Sequence, residues 1–205
     1  MKKPVSIILA GAFILVSTGL LWASTVFTIT AAVPAATGVS ITPATVIENP
    51  TTHAVISYTP LTGTNLTFGT MTYDTTNKIW TAPNYFGIDI ANIGAGSPNV
   101  TVAYAEGSKP VNQVNGLGYK ATATFKKLVY VDATHNTESD YGTHAAKALK
   151  DVTSENITSA QTAGGWLRVY VGLSTGEAGK PGEPFTNADM SGTYTGTLTI
   201  TATAS

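Results

Sequence analysis

The stretch STVFTITAAVPAATG (Ser24–Gly38) decides how the chain is read. Its first part alternates as a β-strand does, with Phe27, Ile29, Ala31 and Val33 on one face and Thr28, Thr30 and Ala32 on the other. Pro34, Ala35, Ala36, Thr37 and Gly38 then form a tether that cannot continue a strand. Before it, Lys2 and Lys3 precede Val5 to Ala23, an apolar run without a charge. That order is an export signal with cleavage expected after Ala23, and no basic stop-transfer cluster follows to hold the run in a membrane. A tethered strand at the start of an exported chain raises one question. It pairs either with its own sheet or with another molecule's.

The composition narrows the answer. Removing 23 residues from 205 leaves 182, enough for one domain with a real core. Without Lys2 and Lys3 the 11 basic residues fall to 9 against 12 acidic ones, a formal balance of −3. Such a chain has no basic patch for nucleic acid. Charged residues are 11% of the sequence, about half the usual share, and Thr, Ser, Asn and Gly supply the polarity instead. There is no cysteine, so disulfides, haem attachment and thiolate metal sites are excluded, and an exported domain must hold by packing or by association.

Alternating segments recur along the chain: His53 to Pro60, Asn65 to Asp74, Asn84 to Gly94, Asn99 to Gly107, Tyr119 to Ala133, Gly165 to Ser174 and the closing Thr-rich run. Gly, Pro and Asn clusters separate them at β-sandwich intervals, so the expected class is all-β. Asp140 to Ile157 carries Ala145, Ala148, Leu149 and Val152 at helical spacing, which predicts a short helical segment near 140–155.

Catalytic patterns are missing from the sequence. His53, His135 and His144 make no His-x-His or His-Glu-x-x-His motif, and Gly116-Leu117-Gly118 fails the dinucleotide fingerprint after its second glycine. Asp132, Glu138 and Asp140 lie in a polar stretch expected to be an exposed loop, where nothing raises a carboxylic acid's pKa. No enzyme activity, metal or cofactor is expected. Trp80, Tyr85, Phe86, Trp166 and Tyr170 are candidates for a sugar platform, though in such a fold they more often fill the core. Asn65, Asn99 and Asn156 head glycosylation sequons, and Asn49 is blocked by Pro50.

The C-terminal run repeats the grammar of the first strand. It sets Tyr194, Leu198, Ile200 and Ala202 on one face and Thr193, Thr195, Thr197, Thr199 and Thr201 on the other. Four features together resemble pilins of the alternate chaperone–usher pathway, of the common-pilus and class 5 colonisation-factor types. FTITAAVPA resembles their N-terminal donor strands, and ISYTPLTGTNLTFG (Ile56–Gly69) their Thr-Pro-Leu segment. YFGIDIANIG (Tyr85–Gly94) is similar to their following strand, and ADMSGTYTGTLTITATAS (Ala188–Ser205) to their closing strand. The resemblance covers both ends and the first third, while residues 107–163 match only in general character.

The resemblance implies an incomplete immunoglobulin-like β-sandwich completed by donor-strand exchange. Its expected parts are a signal peptide at 1–23, a donor strand and linker at 24–37, and a pilin domain at 38–205. Phe27, Ile29, Ala31 and Val33 would insert into a neighbour's groove, with Tyr194, Leu198, Ile200 and Ala202 on the acceptor's closing strand. Four buried apolar residues contribute about 1.5–3 kcal/mol each, roughly 6–12 kcal/mol together before entropy. The expected partners are identical subunits in a homopolymer, a periplasmic chaperone and an outer-membrane usher, with room for a tip adhesin and a host or surface receptor. The expected location is an extracellular fimbria at the cell surface, serving adhesion or biofilm formation. The alternative is a self-contained secreted β-sandwich binding glycans or extracellular matrix.

Overall fold

The computed structural model describes residues 27–32, 39–48, 55–83, 85–92, 99–130, 136–140, 146–163 and 165–203. The signal segment, Val33, the tether, and His53, His135 and His144 lie outside them. Strands dominate, as the alternation predicts. One five-stranded sheet has the order β12-β8-β14-β1-β4, where β12 is Glu155–Ile157, β8 Asn99–Glu106, β14 Tyr194–Thr203, β1 Phe27–Ala32 and β4 Asn65–Thr67. A seven-stranded sheet runs β10-β9-β13-β7-β2-β3, with β11 also on β9. Its strands are β10 Asn136–Asp140, β9 Ala121–Tyr130, β13 Gly165–Leu173, β7 Tyr85–Asn92, β2 Val39–Glu48, β3 Val55–Pro60 and β11 Lys147–Ala148. A hairpin of β5 (Thr72–Asp74) and β6 (Ile79–Thr81) stands apart from both.

The two sheets share one apolar core. The first contributes Leu66, Val100, Val102, Leu198, Ile200 and Ala202, and the second Phe86, Ile88, Ile90, Phe125, Leu167, Val169 and Val171, all buried. Each set sits at alternate positions, because successive strand residues point to opposite faces. Phe68 continues the core beyond β4, its ring 5.2 Å from Phe86.

Several expectations change in detail. Asn65 to Asp74 is two strands, because the chain breaks at Gly69, whose φ of +75° is a left-handed turn conformation. Near 140–155, the only helical feature among the described residues is one 3-10 turn, Leu149–Asp151; β11 and β12 flank it. Leu149 and Val152 are buried there as single inward anchors of an irregular segment. Asn136 to Asp140, expected as a loop, is a strand paired antiparallel with β9. Polar side chains suit it, since β10 ends its sheet.

β2 carries no clear sequence signal because Pro43 interrupts it, and proline argues against a central strand. Its accommodation is geometric. The Pro43 carbonyl accepts from Leu61 N–H at 2.8 Å, on the β3 side. A residue's N and C=O point to the same strand edge, so the missing N–H also faces that side and removes no bond to β7.

Candidate functional site

The opening question has a definite answer in the single chain: β1 lies in its own domain. It runs parallel to β14 in the register Phe27↔Tyr194 through Ala32↔Thr199. On its other edge it pairs antiparallel with β4, at Thr28↔Thr67, Ile29↔Leu66 and Thr30↔Asn65. β1 is therefore the only link between β14 and β4 in that sheet order. Lifting it out would leave a groove one strand wide.

β14 forms the fixed wall of this groove. Tyr194, Leu198 and Ile200 are fully buried and Ala202 nearly so, while the intervening threonines are partly exposed. The register sets Phe27, Ile29 and Ala31 beside Tyr194, Gly196 and Leu198. Gly196 lacks a side chain for a visible reason: a Cβ there would lie 2.6 Å from Cζ of Tyr104, whose ring covers the position. Ile29 is in register with Gly196 and Ala31 with Leu198, large against small in both pairs, a pattern that resists a slip of register. Among the described residues the pairing runs as far as Ala32↔Thr199, and on the other edge of β14 the register partners of Ile200 and Ala202 are Val102 and Val100 of β8.

At the Tyr194 end of the groove the chain is tightly braced. The Tyr194 hydroxyl donates to Met190 O at 2.8 Å, and its ring meets Phe185 edge-on at 5.0 Å. Burial, with the Asp189 charge adding to it, pushes the Tyr194 phenol up to about 12. Lys120, only 5% exposed, pairs with Asp189 Oδ1 at 2.9 Å and donates to Pro184 O at 3.2 Å. Burial alone would raise the Asp189 carboxyl. Hydrogen bonds from Thr186 N–H, Lys120 and Gln113 outweigh it and hold the group below the usual aspartate value.

Glu106 closes the same end. Its carboxylate accepts Leu117 N–H at 2.8 Å and Gly118 N–H at 2.9 Å, at the start of the single-turn helix α1 (Leu117–Lys120), and the Tyr104 hydroxyl at 3.1 Å. Gly116 and Gly118 permit this approach, since a Cβ at Gly118 would sit 2.8 Å from Glu106 Oε2. Burial first, then the Glu106 charge, raises the Tyr104 phenol above its ordinary range.

The outer face of the seven-stranded sheet holds a separate polar cluster. Arg168 on β13 makes a two-point contact with Asp89 on β7, at 2.6 Å from Nε to Oδ1 and 2.9 Å from Nη2 to Oδ2. Its guanidinium lies 4.1 Å from the Tyr58 ring centroid and donates to the Tyr170 hydroxyl at 3.2 Å. Burial disfavours the arginine charge, but the bonds to Asp89 and Tyr170 outweigh it and raise its pKa. Tyr85 stands edge-on to Tyr170 at 5.7 Å.

Of the five aromatic candidates, Tyr85, Trp166 and Tyr170 share the outer face of the seven-stranded sheet, while Phe86 and Trp80 lie elsewhere. Phe86 is in the core, and Tyr85 and Tyr170 belong to the Arg168 face. Trp80 packs on Tyr73 in the hairpin and donates Nε1–H to Asn187 at 3.1 Å. Of the acids, Asp132 lies outside the described residues, and β10 sets Glu138 and Asp140 opposite Leu128 and Lys126. Two of the sequon asparagines have structural uses: Asn156 Oδ1 accepts from Thr101 and Asn99 Oδ1 from Ser159 N–H, while Asn65 is exposed at the start of β4. Among the described residues, no group of three or more His, Cys, Asp or Glu could hold a metal ion. No helix among them is long and apolar enough to cross a membrane.

Comparison of the chain with protein-family models, with curated proteins and with solved structures finds no match. The groove and its braces therefore carry the functional argument. The sequence pointed to both strands at the groove but not to Glu106, Lys120, Asp89 or Arg168. Asp89, Arg168 and Lys120 bind partners far away in sequence, and for Asp89, Glu106 and Arg168 the one available signal was a charge in an otherwise apolar or Thr-rich strand.

Proposed function

We propose that this chain is the major structural subunit of an extracellular fimbria that polymerises by donor-strand exchange, serving adhesion or biofilm formation. The domain is read as an immunoglobulin-like sandwich short of one strand. The observation that supports this is the place of β1, a tethered first strand filling the space between β14 and β4. A head-to-tail joint made this way propagates instead of closing.

The strand's polarity follows from its tether. β1 ends beside Thr199, towards the Thr203 end of β14, and only six residues separate it from the start of β2 at Val39. Six residues span about 20 Å at most. In an end-to-end stack the strand enters the next groove at its Tyr194 end with Phe27 leading, so that Ala32 comes to lie at that end. There it runs antiparallel to β14, the reverse of its direction at home. A periplasmic chaperone and an outer-membrane usher are the proposed assembly partners, by the resemblance noted above.

Ile29→Asp tests the proposal. A carboxylate in an apolar groove is costly, so the variant is expected to be exported but to form no fibres by electron microscopy. Normal long fibres from it would refute the donor role. A second reading rests on the same pairing: a strand already at home suits a self-contained β-sandwich, whose Arg168–Tyr58–Tyr170 face would meet glycans or matrix. Joining Thr25 to Pro34 behind the C-terminus through a short Gly/Asn linker separates the two. A polymerising subunit becomes a monomer that cannot elongate, whereas a self-contained domain keeps its melting temperature and its monomeric state.

A further inference from the structure

The three glycosylation sequons all fall on strands of the five-stranded sheet. Asn65-Leu66-Thr67 is β4 itself, Asn99-Val100-Thr101 opens β8, and Asn156-Ile157-Thr158 runs out of β12. A sequon in a strand sets its asparagine and threonine on one face and the residue between them on the other. Leu66, Val100 and Ile157 are accordingly buried, and Asn65, Asn99 and Asn156 exposed. Alternation in a Thr-rich chain produces such triplets unaided, so the triplets alone decide nothing. Their places do.

β4 and β12 are the two edges of that sheet. An open edge offers unpaired backbone groups to any other strand, and proteins blunt it with charge, with proline or with a cover. The seven-stranded sheet uses the first two: β10, at one edge, carries Glu138 and Asp140, and β3, at the other, ends in Pro60. Neither device guards the five-stranded sheet. β4 has no charge and no proline. The one charge of β12, Glu155, is only 8% exposed and is paired with Lys147. What each of these edges does carry is one exposed sequon asparagine. Asn99 belongs to β8, which lies between β12 and β14, and guards no edge.

The Asn156 side chain is held in a way that tolerates modification. Its Oδ1 accepts from the Thr101 hydroxyl at 2.8 Å. N-glycosylation takes the other atom. Nδ2 bonds to C1 of a sugar, and the bond from C1 to the pyrophosphate oxygen of a lipid-linked donor breaks. The pyrophosphate leaves with that electron pair, and Nδ2 gives up a proton. Oδ1 stays an acceptor, so the bond to Thr101 survives.

We infer that Asn65 and Asn156 carry N-linked glycans that cover the two edges of the five-stranded sheet. The donor is a lipid-linked oligosaccharide, met by the chain on its way out of the cell. A bulky, hydrated sugar at each edge directs strand addition to the groove that β1 fills. The inference rests on the sheet edges and on export, not on the polymer proposed above.

Peptide mass spectrometry of the mature protein, purified from the cells that export it, tests the modification. The peptides holding Asn65 and Asn156 are expected to carry hexose or N-acetylhexosamine mass. Either asparagine unmodified overturns the inference. Thr67→Ala keeps Asn65 but destroys its sequon, so this variant should lose the glycan at Asn65 and retain the one at Asn156. A glycan still on Asn65 also overturns it. The covering role is read by turbidity, comparing the glycosylated chain with the same chain made in cells that lack an N-glycosyltransferase. Both carry Ile29→Asp, so that donor-strand fibres do not contribute. The bare chain is expected to aggregate faster, and equal rates refute the cover. Long fibres from Ile29→Asp would sink the polymer reading and leave the mass measurement to decide this one.

Discussion

Deleting Phe27–Ala32 from the exported protein asks how much of the domain's stability depends on a strand held only by a tether. The strand has six residues in register with β14 and three with β4. Phe27 and Ile29 are in register with the buried Tyr194 and Gly196 of β14, and an apolar side chain of that size is worth about 1.5–3 kcal/mol where it leaves water. Their loss alone is about 3–6 kcal/mol, before any backbone bond is counted. Whole domains are stable by only about 5–15 kcal/mol, so the truncated chain should sit close to its unfolding threshold. For a domain of this size each kcal/mol shifts the melting temperature by about 2–4 °C, which predicts a fall of roughly 6–24 °C. Circular dichroism melts measure it directly. A synthetic peptide of Ser24 to Gly38, added at a hundred times its dissociation constant, should restore about 2.7 kcal/mol. The rescue guards against a truncated chain that merely misfolds. A truncated protein melting within about 2 °C of the intact one, and indifferent to the peptide, would show that β1 is not structural.

Two further outcomes are expected. Gly196→Ala forces a methyl into the Tyr104 ring and should cost about 1–3 kcal/mol in urea denaturation, whereas Gly63→Ala, which meets nothing within 4 Å, should be nearly neutral. Equal effects of the two would refute the close approach at Gly196. Asp189 has a depressed folded pKa, so its stabilisation is complete above its unfolded value of about 3.9 and is lost as pH falls through the lower folded value. Asp189→Asn should therefore cost about 3 kcal/mol at pH 7, by leaving Lys120 without its closest carboxylate, and should flatten the loss of stability below about pH 4. An acid limb as steep as the original's would refute the assignment.

Legibility in the sequence followed burial. β7, β8, β13 and β14 were readable because each has one face in the core, so apolar residues recur at every second position. β2 was hidden by Pro43, whose missing N–H faces the β3 side and removes no bond to β7. β10 was hidden by its polarity, which an edge strand tolerates. Leu149 and Val152 imitated a helix because an irregular segment can also send two residues inward three apart. At the groove, the existence of β1 as a strand and the buried positions of β14 were legible from period-two alternation. The parallel direction of β1 was not, because side-chain alternation is identical either way along a strand. The braces made by Glu106, Lys120 and Gln113 were illegible for another reason: they depend on loops meeting in space.

The home position of β1 constrains how a polymer of this kind could form. A short tether presents the strand to its own groove at an effective concentration of about 1 mM. Against subunits at about 1 μM, home pairing is favoured about a thousandfold, or about 4 kcal/mol. Exchange turns six parallel pairs into antiparallel ones, which are only slightly more stable per residue. To offset 4 kcal/mol those six pairs would each have to gain about 0.7 kcal/mol, more than the change of direction provides. Pairing alone therefore leaves the dilute subunit monomeric and self-complemented. Assembly on the proposed route needs two additions: a partner that keeps β1 out of its own groove until a neighbour is in place, and a contact that exists only between subunits. The first is the task the resemblance gives to a chaperone and usher.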